Sequence, residues 1–321
     1  MVTTLPARIP VLNIHAYRSG SAAEKKAFVE TFGGALEKYG FVSIEGHGID
    51  MGLIRNVYGL LKELFALPVD QKRAYVMGKG GERGYTAFGT EHAKDSKVPD
   101  LKEFWHVGQE LPSDHRLAGA YTPNVWPTEL PAFKAQTMSL YRSLEEVSAT
   151  MLHALADYFG LPQNTYSDMI VGGNSILRAI HYPPVVGDVP VGAIRAAAHE
   201  DINLITILCE ATDGGLELLT HDGEWVAVEA LSGQLVVDSG DMLSRITNGQ
   251  IPSTTHRVVN PPDGGNKERY SLPFFVHPYK DCNLEILERF TSAENPAKFP
   301  PILADDFLTQ RLEEIGLLKK Q

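Results

Sequence analysis

Three side chains that could hold one metal ion stand in the second half of the chain, at His199, Asp201 and His256. Side chains two residues apart on a β-strand point to the same face, so an extended backbone would place His199 beside Asp201. His256 comes far enough along the chain for several strands to return it to the same place. Two imidazoles and one carboxylate on one face of a metal leave positions open for reactants, as in non-haem Fe(II) sites. The spacing therefore predicts a facial Fe(II) site.

A second pair of polar side chains repeats the same spacing further along the chain, at Arg269 and Ser271. A guanidinium next to a hydroxyl offers charge-assisted and bidentate hydrogen bonds to a carboxylate. We therefore expect this pair to bind the carboxylate of a ligand.

These motifs stand among segments that resemble the isopenicillin N synthase-like family of Fe(II)- and 2-oxoglutarate-dependent oxygenases, and the resemblance covers nearly the whole chain. The matching segments of this stretch are residues 214–218, 222–226, 240–243, 247–250, 253–258 and 269–275. The resemblance implies an α+β fold with a mainly β core. That core is a double-stranded β-helix (jelly roll, cupin-like) with flanking helices and a long backing helix.

The same resemblance implies a dioxygenase that oxidises an unactivated C–H bond of a small-molecule substrate with O₂ and converts 2-oxoglutarate to succinate and CO₂. The three metal-site residues become the Fe(II) ligands, and no separate catalytic residue is implied. The implied 2-oxoglutarate contacts are Arg269, Ser271 and Tyr182, of which Tyr182 matches the family tyrosine that reaches the cosubstrate.

One position near Tyr182 departs from the family pattern. Ile180 stands where many members carry an asparagine that touches the 2-oxoglutarate carboxylate near the metal. Arg178 or His181 could supply the missing polar contact. We therefore treat both side chains as candidate cosubstrate contacts.

Further candidate contacts to the substrate, or to the surroundings of the ligands, are aromatic or cationic. The residues are Tyr85, Phe104, His106, Arg178, His181, Arg195 and Phe275. The glycine-rich residues 78–84 lack the Gly-Lys-Ser/Thr ending and the strand-to-helix context of a phosphate-binding loop. They resemble instead the family loop that reaches toward the substrate.

Other functions are compatible with parts of this pattern. Isopenicillin N synthase and the plant ethylene-forming oxidase resemble this chain and keep an Arg-x-Ser motif for another carboxylate, without consuming 2-oxoglutarate. Bacterial ethylene-forming enzymes consume it and have an aliphatic residue at the Ile180 position. A non-catalytic metal or 2-oxoglutarate sensor is a different class, and the intact ligand set argues against it. A zinc cupin is disfavoured because its ligands are usually richer in histidine.

Composition limits the class of protein and of partner. The 321 residues include 43% hydrophobic and 21% charged residues, which is ordinary for a globular protein. A net charge of -11 argues against nucleic acid or an anionic membrane as the main partner. Two cysteines indicate reduced thiols, and neither a secretory signal nor a membrane span is found. We expect a cytoplasmic protein with a small-molecule substrate, and the oligomeric state stays open.

The first half of the chain predicts helices. Ser21 followed by Glu24 forms a capping-box pattern for a helix that Gly40 ends, and Asp50 can cap a second helix. Residues 127–160 carry an apolar stripe with a period of about 3.6, which predicts a long helix behind the β core.

The pattern changes to short strands separated by turns after about residue 174, which indicates a sandwich or barrel. Asp222-Gly223 predicts a hairpin, Gly240-Asp241 and residues 261–265 predict further turns, and residues 305–318 predict a C-terminal helix. We divide the chain into an N-terminal helical and strand subdomain (1–125), a long backing helix with its connection (126–173), the jelly-roll core (174–280) and a C-terminal helical segment (281–321).

Overall fold

Two β-sheets face each other in the middle of the molecule, and helices pack against the larger sheet. The computed structural model describes residues 9–77, 82–92, 98–184, 193–228, 232–260 and 267–314. The two sheets form the predicted double-stranded β-helix, and the predicted long helix lies behind it. The expected fold class is confirmed.

In chain order, the strands of the described residues are β1 (Val11–Asn13), β2 (Phe41–Glu45), β3 (Gly84–Thr86), β4 (Glu103–Gly108), β5 (Ile176–Tyr182), β6 (Ala196–His199), β7 (Ile205–Cys209), β8 (Leu216–Leu219), β9 (Trp225–Ala227), β10 (Leu235–Ser239), β11 (His256–Val258), β12 (Arg269–Ser271) and β13 (Pro273–Val276). The larger sheet has the order β1-β2-β10-β7-β13-β5-β4-β3, with β12 also paired to β5. The smaller sheet has the order β6-β11-β8-β9. Strands from before and after the long helix thus lie in one sheet, and the division into four segments stays a prediction.

The helices of the described residues are α1 (His15–Arg18), α2 (Ala22–Tyr39), α3 (Met51–Ala66), α4 (Val69–Arg73), α5 (Phe133–Phe159), α6 (Ser167–Ile170), α7 (Asp241–Ile246) and α8 (Ala304–Glu314), and a short 3₁₀ turn spans Glu288–Phe290. The helix α5 packs against α2 and α3 on one side and against β7 and β13 on the other. It therefore backs the strands that carry part of the candidate site.

Local sequence signals set the ends of α2 and α3 as predicted. Ser21 Oγ accepts a hydrogen bond from the Glu24 amide, and the Glu24 carboxylate accepts one from the Ser21 amide. Gly40 ends α2 with a φ of 65°, a conformation that favours glycine. Asp50 Oδ1 accepts a hydrogen bond of 2.7 Å from the Gly52 amide and caps α3.

The long helix α5 begins later than its apolar pattern suggests. The pattern starts at residue 127, but the helix starts at Phe133 because the preceding residues form turns. The amide of Leu130 donates to the Pro127 carbonyl, and the amide of Phe133 donates to the Leu130 carbonyl. Its end at Gly160 is as predicted, with a φ of 64°.

Several predicted turns can be checked in the β core. Asp222-Gly223 joins β8 to β9, and Gly223 has a φ of 80°. Gly240 does not form a simple turn but precedes the short helix α7, which its neighbour Asp241 begins. The predicted turn at residues 261–265, the glycine-rich residues 78–81 and residues 315–318 of the predicted C-terminal helix lie outside the described residues.

The main apolar core lies between α5 and the larger sheet, and a second cluster lies between the two sheets. Both cysteines of the chain, Cys209 and Cys282, are buried and unpaired. Among the described residues, none of the helices combines the length and the apolar character that crossing a membrane requires.

Candidate metal centre and the adjoining cavities

His199, Asp201 and His256 lie together beside the smaller sheet. His199 ends β6 and His256 begins β11, and the two residues are opposite each other in the antiparallel pair. Asp201 follows β6, and its Oδ1 lies 3.8 Å from His199 Nε2 and 3.9 Å from His256 Nε2. One donor atom of each side chain lies within 4.8 Å of the other two. All three side chains could therefore bind one ion.

Each side chain of this triad is oriented by a second contact. Both histidines donate from Nδ1 to the backbone carbonyl two residues earlier, over 2.7 Å for His199 and 3.1 Å for His256. Their Nε2 lone pairs are therefore left to face the common centre. Asp201 Oδ2 accepts a hydrogen bond from Thr206 Oγ1, which in turn accepts one from Asn203 Nδ2. The triad is thus held in place by the fold itself.

The electrostatic surroundings favour an uncharged imidazole at His199. Burial, and then the neighbouring His256, lowers the pKa of His199 to about 4. Burial, and then the Asp201 carboxylate, raises the pKa of Asp238 well above its usual value. Asp238 Oδ2 lies 3.8 Å from His256 Nδ1. A neutral imidazole is the form that binds a metal ion.

A cavity of about 70 Å³ lies between the two sheets, and the triad contributes to its wall. Arg269, Ser271 and Tyr182 all line it. Arg269 is 2% exposed, and its Nε donates to the carbonyls of Asp213 and Gly214 over 3.0 and 3.1 Å. Its Nη1 is buried without a hydrogen-bond partner. A buried donor left in this state costs free energy that an acceptor on a ligand would recover.

The strand β5 separates its side chains between two faces. Arg178, Ile180 and Tyr182 line the small cavity. His181 lies on the opposite face, where its Nδ1 is 2.8 Å from Glu103 Oε1. The prediction that His181 could contact the cosubstrate is therefore wrong, because strand alternation turns the ring away from the cavity. Arg178 is left as the polar candidate near Ile180.

A second, larger cavity of about 430 Å³ adjoins the first. The residues that line both cavities are Lys102, Arg178, His199, Asp201 and Phe275. The part of α8 that lines the larger cavity consists of Leu308, Arg311 and Leu312. The two cavities therefore meet at the triad, so that two different molecules could reach one metal ion.

Buried ion pairs stand where the two cavities meet. Lys102 Nζ lies 3.0 Å from Glu91 Oε2 and 2.8 Å from Asp100 Oδ2, and Arg178 Nη1 lies 3.2 Å from Glu91 Oε2. Burial opposes ionisation of Glu91, yet Arg178 and then Lys102 hold the pKa of its carboxyl well below the usual range. Burial likewise opposes the charge of Lys102, but Glu91 and Asp100 raise its pKa. The positive charges of Lys102 and Arg178 are therefore balanced by the negative charges of Glu91 and Asp100.

Contacts on both sides fix the Arg178 side chain. Its guanidinium carbon lies 4.2 Å from the Phe104 ring centroid and 5.0 Å from that of Phe275. Its Nε donates to His106 Nε2 over 2.6 Å. His106 and Phe275 line the larger cavity, whereas Phe104 contacts Arg178 from behind and lines neither cavity. Phe104 therefore positions Arg178 and does not contact the substrate space.

Two other predicted substrate contacts lie away from both cavities. The Tyr85 hydroxyl donates to Glu103 Oε2 inside the core. Arg195 Nη1 lies 3.2 Å from Asp213 Oδ2, and its Nη2 donates to the Lys267 carbonyl over 2.7 Å. Neither Tyr85 nor Arg195 lines a cavity. A direct substrate contact in either cavity is therefore not supported for these two residues, and a role in the surroundings of the ligands stays a prediction.

Sequence reasoning did not single out several residues of the two cavities, namely Glu91, Lys102, Asn174, Asp238 and His277, and it placed Arg83 only within the glycine-rich loop expected to reach toward the substrate. Two of them carry a signal that could have been used. Asp238 interrupts the apolar strand β10, and His277 follows Phe275 at the same-face spacing of β13. The others come from loops and strand ends whose meeting depends on the whole fold.

Comparison with known families matches both halves of the chain. Residues 9–129 match the N-terminal model described as non-haem dioxygenase in morphine synthesis. Residues 173–278 match the model of the 2OG-Fe(II) oxygenase superfamily, and this range contains the triad, Tyr182, Arg269 and Ser271.

Individual relatives agree with these matches. A 2-oxoglutarate-Fe(II) type oxidoreductase of Aspergillus fumigatus is 30% identical, over 96% of this chain and 93% of that protein. A 2OG-Fe(II) oxygenase family protein from Caulobacter crescentus has a crystal structure with a TM-score of 0.86 and 42% identity, which covers 97% of this chain and 100% of that chain. A Neurospora crassa protein crystallised with alpha-KG has a TM-score of 0.84 and 29% identity, covering 95% of both chains, and a further structure of it contains thymine.

Proposed function

The chain belongs to the 2OG-Fe(II) oxygenase superfamily and is a dioxygenase that depends on Fe(II) and 2-oxoglutarate, and we propose that His199, Asp201 and His256 are its Fe(II) ligands. The donor set supports this assignment: two imidazoles and one carboxylate suit non-haem Fe(II). The bonds from both Nδ1 atoms to backbone carbonyls support it as well. Fe(II), when bound, supplies the activation of O₂ for attack on a substrate C–H bond, with conversion of 2-oxoglutarate to succinate and CO₂.

Arg269, Ser271 and Tyr182 are the proposed 2-oxoglutarate contacts. The observation that carries this assignment is the unpartnered Nη1 of Arg269, which is buried at the wall of the small cavity. A ligand carboxylate would accept from this donor and neutralise the guanidinium. Ser271 is opposite Ile180 in the pairing of β12 with β5, and Arg269 is opposite Tyr182. All four side chains line the same small space.

Arg178 is the proposed polar contact at the end of the cosubstrate that meets the metal. It lines both cavities, and its guanidinium is fixed by Phe104, Phe275 and His106. A guanidinium fixed beside the triad would donate to a carboxylate without the entropic cost of ordering a mobile side chain, although its charge is already paired with Glu91. It would thus take the part of the asparagine that Ile180 replaces.

The apolar wall of the small cavity would exclude water from the reaction. Its apolar residues on the facing sheets include Phe41, Leu208, Leu216, Val236, Val258 and Pro273. In such a wall the charged groups of Arg269 and Arg178 act on the cosubstrate with little screening by solvent.

The larger cavity is the proposed site of a small-molecule substrate. It reaches the triad, and its volume of about 430 Å³ lies within the range of small-molecule pockets.

We place the protein in the cytoplasm, since its two cysteines are unpaired.

Anaerobic titration of the Fe(II)-loaded protein with 2-oxoglutarate tests the proposed function. We expect the weak visible charge-transfer band of the chelate to appear in the wild type. Arg269→Gln should lose the band at the same concentration, because the cosubstrate carboxylate loses its cation. Arg142→Gln removes an exposed arginine of α5 and should keep the band. A band that survives in Arg269→Gln would contradict the assignment, and no band in the wild type despite bound iron would favour the cosubstrate-independent oxidase.

A further inference from the structure

Two buried guanidinium groups have no carboxylate partner. The cationic side chains buried among the described residues are Lys72, Arg83, Lys102, Arg195 and Arg269. Lys72, Lys102 and Arg195 form ion pairs with carboxylates. Arg83 and Arg269 form none within 4.0 Å with the carboxylates of the described residues. A buried charge without a counter-charge is costly, so its presence indicates a ligand that supplies the counter-charge.

Only neutral acceptors surround Arg83 within hydrogen-bond distance. Its Nη1 donates to the Glu82 carbonyl over 2.7 Å, and its Nη2 donates to Asn174 Oδ1 over 2.9 Å and to Gln109 Oε1 over 3.3 Å. Its Nε is buried without a partner. The Glu82 carboxylate acts electrostatically on Arg83, but this residue is exposed and its Oε2 accepts from Thr122 Oγ1.

Close packing holds the Arg83 guanidinium in place. A Cβ at Gly108 would lie 2.2 Å from Arg83 Nη2, so the guanidinium lies directly against the β4 backbone. Arg83 itself is only 2% exposed. A cation fixed in this way has already lost its side-chain freedom, and binding an anion there would cost little further entropy.

Arg83 contributes to the wall of the larger cavity together with Asn174 and His277. His277 Nδ1 lies 3.3 Å from the Phe275 carbonyl, and its Nε2 is buried without a partner. Two side chains of this wall therefore each keep an unsatisfied buried polar atom, Arg83 Nε and His277 Nε2. The triad residue Asp201 lines the same cavity, so a molecule bound here reaches the metal centre.

The balance of charge indicates the kind of anion. Lys102 and Arg178 are balanced by Glu91 and Asp100, as described above, and Arg311 pairs with Asp241 over 2.7 Å. When the proposed metal ligand Asp201 is set aside, one positive charge is left over among the buried lining groups, that of Arg83. A monoanion matches it, whereas a phosphate dianion would bring excess negative charge near the Glu91 carboxylate. The planar guanidinium also suits a carboxylate.

We propose that Arg83 binds a carboxylate of the substrate, so that this dioxygenase oxidises a small organic monocarboxylate. This inference rests on the proposed function, because it takes the larger cavity as the substrate site. The two unpaired guanidinium groups then have parallel roles: Arg269 binds the acid group of the cosubstrate, and Arg83 binds that of the substrate.

Ligand-observed NMR on the Zn(II)-loaded protein saturated with N-oxalylglycine, a 2-oxoglutarate analogue, tests this proposal. The probes are small aliphatic and aromatic monocarboxylic acids, each paired with its primary amide. We expect at least one acid to bind at least about tenfold more tightly than its amide, because only the acid supplies the counter-charge. Arg83→Gln should abolish this preference, Arg83→Lys should keep part of it, and Arg142→Gln should keep all of it.

N-oxalylglycine binding in the same samples separates the possible failures. If Arg83→Gln still binds N-oxalylglycine, that variant is folded. If Arg83→Gln does not fold, the comparison uses Arg83→Lys, for which a partial loss of the preference is expected. Acids and amides that bind alike, phosphate monoesters that bind more tightly than the acids, or an acid panel without any binder would overturn the Arg83 proposal alone. A wild-type protein that fails to bind N-oxalylglycine would instead count against the proposed function.

Discussion

Single side chains of the two cavities carry shifted protonation equilibria. Burial lowers the pKa of His277 from 6.5 to about 4, and the Phe275 carbonyl only partly opposes this shift. Above pH 6.5 the ring is neutral in both the folded and the unfolded chain. Between pH 6.5 and 4 the unfolded chain binds a proton that the folded chain does not, so the free energy of unfolding falls as the pH falls.

His277→Gln should flatten this part of the pH dependence. We expect up to about 3 kcal/mol less loss of stability between pH 6.5 and 4, because the substituted side chain does not titrate. Urea unfolding of the metal-free wild type and variant at several pH values measures it. Equal losses in the two proteins over this range would show that the ring titrates freely when folded.

Thr206 supports the metal centre through one hydroxyl, which donates to Asp201 Oδ2. Thr206→Val keeps the shape and removes the donor, so Asp201 is held less firmly. We expect Mn(II) affinity to fall about 10- to 100-fold, as for other residues that orient metal ligands. Thr137→Val is the matched control, because that buried hydroxyl bonds only to carbonyls within α5. Unchanged affinity in Thr206→Val would contradict this role.

At the scale of residues, the sequence predicts pairs of site residues that lie close together along the chain. His199 with Asp201, and Arg269 with Ser271, lie two apart, and the structure brings both pairs to the same region of the β core. The choice between Arg178 and His181 needed the register of β5, because adjacent residues of a strand face opposite ways. Arg83 lies in the glycine-rich loop that the resemblance placed near the substrate, but its proposed role could not be predicted, because that role depends on the lack of a carboxylate partner among the described residues.

At the scale of elements, α8 closes one side of the larger cavity. Its Arg311 Nη2 lies 2.7 Å from Asp241 Oδ2 at the start of α7, and its Nη1 lies 2.9 Å from Glu314 Oε2 on the same helix. Both Arg311 and Asp241 are largely shielded from solvent. The ion pair therefore ties the C-terminal helix to the residues next to the triad.

Arg311→Gln should loosen α8 without unfolding the core. The pair is worth about 1 kcal/mol at a partly buried position, so backbone amides of α8 should exchange with deuterium about fivefold faster. Amides of α5 should be unaffected. Mass spectrometry of peptides from both helices measures the effect, and Arg257→Gln, which breaks another ion pair elsewhere, is the control. Faster exchange throughout the chain would indicate general destabilisation instead.

Helices were easier to predict than strands. The capping box of α2 and the long apolar stripe of α5 are local signals, because they depend only on residues of the same helix. Strands of three residues, such as β3, β9, β11 and β12, are too short to show alternation and depend on their neighbours in the sheet. The late start of α5 reflects turns before Phe133 that compete with the helix.

At the scale of the whole molecule, the proposed metal ion would link separate parts of the fold. His199 and His256 belong to two strands of the smaller sheet, and Asp201 stands in the connection to β7 of the larger one. Binding at this point stabilises the folded chain, because His256 comes together with His199 and Asp201 only when the chain is folded.

Mn(II) should therefore raise the melting temperature. At a metal concentration 100 times the Kd, the expected gain is about 2.7 kcal/mol in the free energy of unfolding. His256→Ala should abolish the shift because it removes one of the three ligands. Differential scanning calorimetry with and without Mn(II) measures it, and a full shift in His256→Ala would contradict the assignment.

The two buried cysteines have a consequence for a protein that handles O₂. Burial raises the pKa of Cys209 to about 12 and that of Cys282 to about 11. Since the thiolate is the reactive form, neither sulfur is readily alkylated or oxidised to sulfenic acid while the chain is folded. Both become accessible when the core opens. Modification of these two thiols would therefore report unfolding of the chain, and the thiols would stay unmodified in the folded enzyme during turnover.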